Sequence, residues 1–169
     1  MEIATIASFL SYYDRVHHRT RRVIGCIPPD HIDWAYREGK FSLADLVRHL
    51  AAIERYMFVE SALGRPNAYP GHGPELAAGH REVIAYYDRV TAESRELLAS
   101  MADADLARKC ATPLGTPISV WKWLRSMIEH EIHHRGQIYL YLSMLGVETP
   151  PLYGLTEEQL EASAGRGSA

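Results

Sequence analysis

The run His130-Glu131-Ile132-His133-His134 gathers three of the chain's nine histidines into five residues. On an α-helix, positions 130 and 134 stand about 40° apart on one face and about 6 Å apart along the axis. Two imidazoles at that spacing can converge on one transition-metal ion, as i,i+4 histidine pairs do in zinc sites. The helix that must carry them has an apolar arc of Val120, Trp123, Leu124, Met127, Ile138, Tyr141, Leu142 and Leu145, and His130 and His134 fall on one edge of it. His133 points further out. His49 lies likewise at the edge of a Leu46, Leu50, Ile53 stripe. Three histidines on two helices can therefore face one groove. Three neutral imidazoles leave a coordination position open, which is the arrangement of a catalytic metal site and not of a closed structural one. The competing reading is that these are ordinary polar residues at the boundary of the core. His17 and His80 also fall on core-type positions, but neither has a second histidine three or four residues away, and each is expected to be a satisfied core or surface histidine.

Glu131 projects near the centre of the apolar arc, where an unpaired carboxylate is costly. It is expected either to hydrogen-bond a ligand histidine, the nearest plausible partner, or to work as a base. The string also has the H-E-x-x-H form of zinc proteases. Against that, position 137 is Gln where the longer motif needs Gly, position 140 is Leu where it needs His, and no strand is expected ahead of the helix to hold a peptide. A di-iron carboxylate bundle needs paired Glu-x-x-His motifs and two further glutamates. Glu131-x-x-His134 supplies one such motif, and the sequence has no second.

The elements that position these residues read as helices. The first runs from about Ile3 to Ile24, with Arg19, Arg21 and Arg22 complementing the dipole at its C-terminal end. The second starts at Ser42, where Ser42-Leu43-Ala44-Asp45 resembles a capping box, and continues to about Leu63, before Gly64 and Pro66. The third runs from about Glu75 to Met101. Thr116-Pro117 reads as N-cap and first turn of the fourth, from about Ile118 to Leu145, and Gly146 and Pro150-Pro151 end it. Between the third and fourth, a turn at Thr112–Gly115 leaves room for a short hairpin or extended excursion. Thr156-Glu157-Glu158-Gln159 is a further capping box that opens a short helix to about Ala162. Four helices of more than twenty residues, without convincing strands, predict an all-α four-helix bundle with a short C-terminal helix. Residues 1–164 form the domain and 165–169 a frayed tail.

The stretch His130-Glu131-Ile132-His133-His134-Arg135-Gly136-Gln137, with the apolar run to Leu145-Gly146, resembles the signature of the DinB superfamily. Leu46-Val47-Arg48-His49-Leu50 resembles the second-helix motif of that family, whose histidine is its first metal ligand. The resemblance covers roughly Ile3 to Pro150. It implies a metal-binding four-helix bundle, often dimeric, with His49, His130 and His134 as ligands, the same three that the helical projection selects. It implies a reaction less firmly: some members are thiol-dependent transferases or isomerases that use glutathione, mycothiol or bacillithiol.

Composition bounds the rest. The chain has 169 residues, 47% hydrophobic and 23% charged, with a formal charge of −3. That suits one soluble domain with a small-molecule substrate and gives no basic excess for nucleic acid. No apolar run is long enough for a membrane, no secretory leader opens the sequence, and two cysteines make no disulfide framework, so a cytoplasmic protein is expected. Three hypotheses follow. The first is a metalloenzyme transferring a low-molecular-weight thiol to an electrophile, the second a metal-dependent small-molecule hydrolase. The third is a non-enzymatic, stress-related metal-binding protein. Three imidazoles suit Zn or Ni, with Fe as a further candidate. A second apolar flank on the fourth helix (Trp121, Ile128, Ile132, Tyr139) is either covered by the first helix or the face of a homodimer.

Overall fold

Thr5 accepts a hydrogen bond on its side chain from the Ser8 amide, and helix α1 (Ile6–Ile24) follows from that cap. Ser42 opens α2 (Leu43–Ile53) with the expected capping box. Its hydroxyl accepts from the Asp45 amide at 3.1 Å, and the Asp45 carboxylate accepts from the Ser42 amide at 2.9 Å. The rod does not stop at Ile53. It widens into a π-helical turn, Glu54–Val59, and closes with the short α3 (Glu60–Ala62). Two further rods follow, α4 (His80–Ala99) and α5 (Val120–Met144). The computed structural model describes residues 3–155 and 159–161, so the Thr156 capping box, its helix to Ala162 and the tail at 165–169 lie wholly or partly outside the described residues.

Two element boundaries differ from expectation. The third long helix starts at His80 and not near Glu75, because Gly79 takes φ 78°, a backbone that glycine adopts freely and that cannot lie inside a helix. The fourth starts at Val120. Pro117–Ser119 is strand β2, paired antiparallel with β1 (Lys109–Ala111), with Ile118 opposite Cys110. Thr116-Pro117 therefore belongs to a hairpin, at whose first strand residue a proline needs no amide to donate. Cys26 and Cys110 are both free thiols.

Two apolar clusters show how the rods run. One holds Val23 and Ile24 of α1, Leu43 to Ala52 of α2, Val83 to Val90 of α4 and Ile138 to Leu142 of α5. The other holds Ile6 to Val16, Phe58 to Ala62, Leu98 and Val120 to Ile128. So α1 and α5 run one way, and the α2–α3 rod and α4 run the other. The most extensively packed neighbours are a parallel pair, the α2–α3 rod on α4, and α1 packs parallel on α5. A parallel neighbour requires the chain to return the length of the bundle, and the stretch from Leu63 to Gly79 makes that return. Among the described residues, no helix is long and apolar enough to cross a membrane.

Between the two clusters lies a polar belt. On α5 the buried side chains between Ile128 and Ile138 are Glu131 and Arg135, and on α4 Thr91 and Ser94 are buried between Val90 and Leu98. The flank of α5 is partly internal: Ile128 is buried in the second cluster, with Ile6 to Val16 of α1, and Trp121 and Ile132 pack on the same cluster. The α1 arginines hold partners. Arg21 pairs with Asp88 at 2.6 Å, while Arg19 and Arg22 donate to the carbonyls of Leu152 and Pro151.

Candidate metal centre

His49 on α2 and His130 and His134 on α5 meet in the groove between those rods. The Nε2 atom of His130 lies 3.2 Å from His49 Nε2 and 3.0 Å from His134 Nε2. Donors held at about 2.1 Å from one ion stand about 3.0–3.4 Å apart in octahedral or tetrahedral arrangement, so these spacings are those of a ligand set. Two of the far ring nitrogens are engaged. His49 Nδ1 is 2.7 Å from the Tyr69 hydroxyl, and His134 Nδ1 is 2.6 Å from Gln137 Oε1. With Nδ1–H donated to those oxygens, each Nε2 keeps its lone pair for a cation, the orientation that outer partners impose on ligand histidines. The Tyr69 hydroxyl can then donate onward to His72 Nδ1, 3.2 Å away.

The electrostatics agree. Burial, then the His134 and His130 rings, push His49 from its ordinary 6.5 down to about 3. Burial, with His134 and His133 beside it, pushes His130 down to about 4, and burial lowers His134 as well. All three are neutral at physiological pH, the form in which imidazole binds a metal. Each is only partly buried, so the groove is reachable from solvent. Phe41 packs 5.5 Å from the His49 ring and Phe58 5.7 Å from His130, giving the groove aromatic walls. The donor set fits a divalent transition metal.

Glu131 does not serve this triad in the expected way. It is buried, but one residue of helix turns it about 100° from His130 toward the bundle axis. Its Oε2 lies 2.8 Å from Nε2 of His17 on α1, and not at a triad imidazole. With Glu131 turned away from the triad, the H-E-x-x-H string lacks the base of a zinc protease. His17 is thus not an isolated core histidine, since it meets both Glu131 and Glu54. His80 is the satisfied histidine expected, its Nε2 2.9 Å from the Ile27 carbonyl. His133 is exposed and lies 3.4 Å from Gln137 Nε2.

Residues 12–138 match the model of the DinB superfamily, most of the chain. The chain belongs to the DinB superfamily. YjoA of Bacillus subtilis is 24% identical over 151 residues, 88% of this chain and 93% of that protein. The crystal structure of YjoA aligns with TM-score 0.71 at 20% identity, over 86% of this chain and 97% of that one. A DinB-like protein from Bacillus cereus aligns with TM-score 0.75 at 18% identity, over 89% of this chain and 99% of that one. YfiT of Bacillus subtilis, described as a probable metal-dependent hydrolase with an unusual four-helix bundle topology, aligns with TM-score 0.66 at 17% identity, over 85% and 89%. At these identities the structures show a shared fold.

Sequence reading of this DinB protein missed the residues around the triad. Tyr69 and His72 sit in the return segment between α3 and α4, where no periodicity marks them. Arg48, the neighbour of His49, holds that segment. It is buried and donates to the His72 carbonyl at 2.7 Å, to the Ala77 carbonyl at 2.9 Å and to Asp45 at 2.6 Å. The only hint in the sequence is an arginine on the buried face of an amphipathic helix, which has to find acceptors.

Proposed function

We propose that this DinB protein is a cytoplasmic, metal-dependent enzyme. His49, His130 and His134 hold Zn or Ni, and the protein transfers a low-molecular-weight thiol to a small electrophile. The observation that carries the reading is the convergence of three neutral Nε2 atoms at 3.0 and 3.2 Å in a groove open to solvent. A bound divalent ion with a free position supplies Lewis acidity, which makes a coordinated thiol a thiolate, the nucleophilic form. The chain's own residues set the conditions. Tyr69 and Gln137 fix the ring orientations of His49 and His134, and Phe41 and Phe58 limit water beside the rings. Water in place of thiol gives a small-molecule hydrolase, the second reading, which the likeness to YfiT favours.

Metal-loaded protein assayed for consumption of glutathione, mycothiol and bacillithiol with a halogenated aromatic electrophile, beside ester hydrolysis, separates the readings. Thiol consumption that needs the metal and is lost in His130→Ala supports transfer. Ester hydrolysis alone replaces it with the second reading. Neither activity, in a protein whose fold is unchanged by metal removal, leaves a non-enzymatic metal-binding protein.

A further inference from the structure

The three residues His17, Glu54 and Glu131 come from three different rods and meet near the bundle axis. His17 Nε2 lies 2.8 Å from Glu54 Oε2 and 2.8 Å from Glu131 Oε2. All three ligand atoms lie within 4.8 Å of one another. One ring N–H can point at only one carboxylate, and it is shared with Glu54. Oε1 of Glu131 is left buried without a hydrogen-bond partner and Oε2 faces only the shared His17 Nε2, on a residue 3% exposed. Glu54 is also buried, at 4% exposed.

With His17 protonated, the trio itself carries −1 in the protein interior, where a carboxylate without a direct partner is costly. Among the described residues, no nearby arginine reaches these carboxylates directly, although Arg135, held by neutral acceptors, keeps its charge one turn away. Arg135, one turn along α5 from Glu131, donates to the Val16 carbonyl and the Tyr153 hydroxyl. Arg55, next to Glu54, pairs with Glu60 and Glu93. A divalent cation with neutral His17 and two carboxylates sums to zero.

We propose that His17, Glu54 and Glu131 form a second divalent-cation site, distinct from the histidine triad. One imidazole and two carboxylates make a harder donor set than three imidazoles, suited to Mn or Fe more than to Ni or Cu. The 2.8 Å spacings approach the roughly 3.0 Å between adjacent donors on an ion with bonds near 2.1 Å. Outer groups are in place to orient the ligands. The Tyr13 hydroxyl donates to Glu54 Oε1 at 2.7 Å, and His17 Nδ1 lies 3.2 Å from the Tyr87 hydroxyl, which can accept its proton. A cavity of about 300 Å³ lined by Tyr13, His17, Tyr87 and Thr91 provides an approach from outside. The π-helical widening that begins at Glu54 is a departure from α geometry that recurs at functional sites.

The test uses the full chain with the triad disabled, His49→Ala/His130→Ala, stripped with chelator and titrated with Mn²⁺ by electron paramagnetic resonance. One Mn²⁺ per chain is expected, with affinity falling at least tenfold on adding Glu131→Gln or His17→Ala. Thermal melting gives a second reading that does not depend on saturation. Mn²⁺ raises the Tm of the triad-disabled protein. In the protein that also carries Glu131→Gln, an isosteric change that removes the carboxylate charge, Mn²⁺ leaves Tm unmoved. Absence of Mn²⁺ binding in the triad-disabled protein, with the fold intact by circular dichroism, overturns the proposal. So does binding that survives both added substitutions. If the triad substitutions themselves unfold the chain, the wild-type protein preloaded with one equivalent of Zn²⁺ takes the titration instead. A further Mn²⁺ lost in Glu131→Gln supports the site, and none overturns it.

Discussion

At the scale of single residues, the triad depends on what stands behind it. Tyr69 and Gln137 take the Nδ1 protons of His49 and His134, so Tyr69→Phe and Gln137→Ala each weaken metal affinity about 10–100-fold, the range typical of outer-partner changes. Competition titration with a chromophoric chelator reads this, and unchanged affinity in both would contradict the assignment. The titrations also carry a sign. His49 and His130 are held at about 3 and about 4 against an ordinary 6.5, so the unfolded chain binds protons first as pH falls. Their contribution is present above about pH 6.5 and is lost between there and about pH 3. His17 goes the other way. Burial alone would lower it, but the carboxylates of Glu131 and Glu54 win and raise it to about 10. Its contribution is present below about pH 6.5 and is lost as pH rises toward 10. Metal-free protein should therefore melt highest near pH 6.5 and lower on both sides. His17→Gln should flatten the alkaline limb in a calorimetric pH series.

At the scale of elements, the return segment from Leu63 to Gly79 brings Tyr69 and His72 to the groove, and Arg48 holds it there. Hydrogen bonds to a charged group contribute about 1.5–3 kcal/mol each, so Arg48→Ala should cost about 3 kcal/mol or more in urea unfolding. It should also expose residues 65–77 to proteolysis before the rods open; a cleavage pattern unchanged from wild type would count against that role. What could be read in the sequence follows the range of the signal. His130 and His134 are four residues apart on one helix, and the Ser42–Asp45 capping box is four residues long, so local spacing was enough for both. The start at Thr116-Pro117 was misplaced because a proline at a helix's first turn and one at the start of an edge strand look alike locally. The His17–Glu54–Glu131 cluster was invisible because each residue is alone in its own helix and the meeting is tertiary. Glu131 carried the one clue, a carboxylate on an apolar arc, but the arc could not say which rod it would face.

At the scale of the molecule, the parallel pairing of α1 with α5 decides which surface is free for a partner. Ile128, on the flank expected to be either covered by the first helix or a dimer face, is buried in one cluster with Ile6 to Val16 of α1, so Ile128→Ala should cost about 2–5 kcal/mol in urea unfolding as a core truncation. For the homodimer that the family resemblance implied, we propose the open face of α5, where Leu140 and Met144, one turn apart, are each 57% exposed. Light scattering at micromolar concentration should give the mass of two chains for the wild type. Leu140→Glu/Met144→Glu should give one folded chain. A monomeric wild type removes the dimer, and a dimeric double variant moves it to another face.

The central claim is that three imidazoles from two rods hold one metal, and metal retention tests it most directly. In a Glu131→Gln background, so that only the triad is read, protein given one equivalent of Zn²⁺ is passed through gel filtration and analysed for bound metal. The parent should keep about one ion per chain, His133→Ala should keep it too, and His49→Ala, His130→Ala and His134→Ala should each lose most of it. Stoichiometric zinc in His49→Ala would show that α5 binds the metal without α2, and would contradict the account.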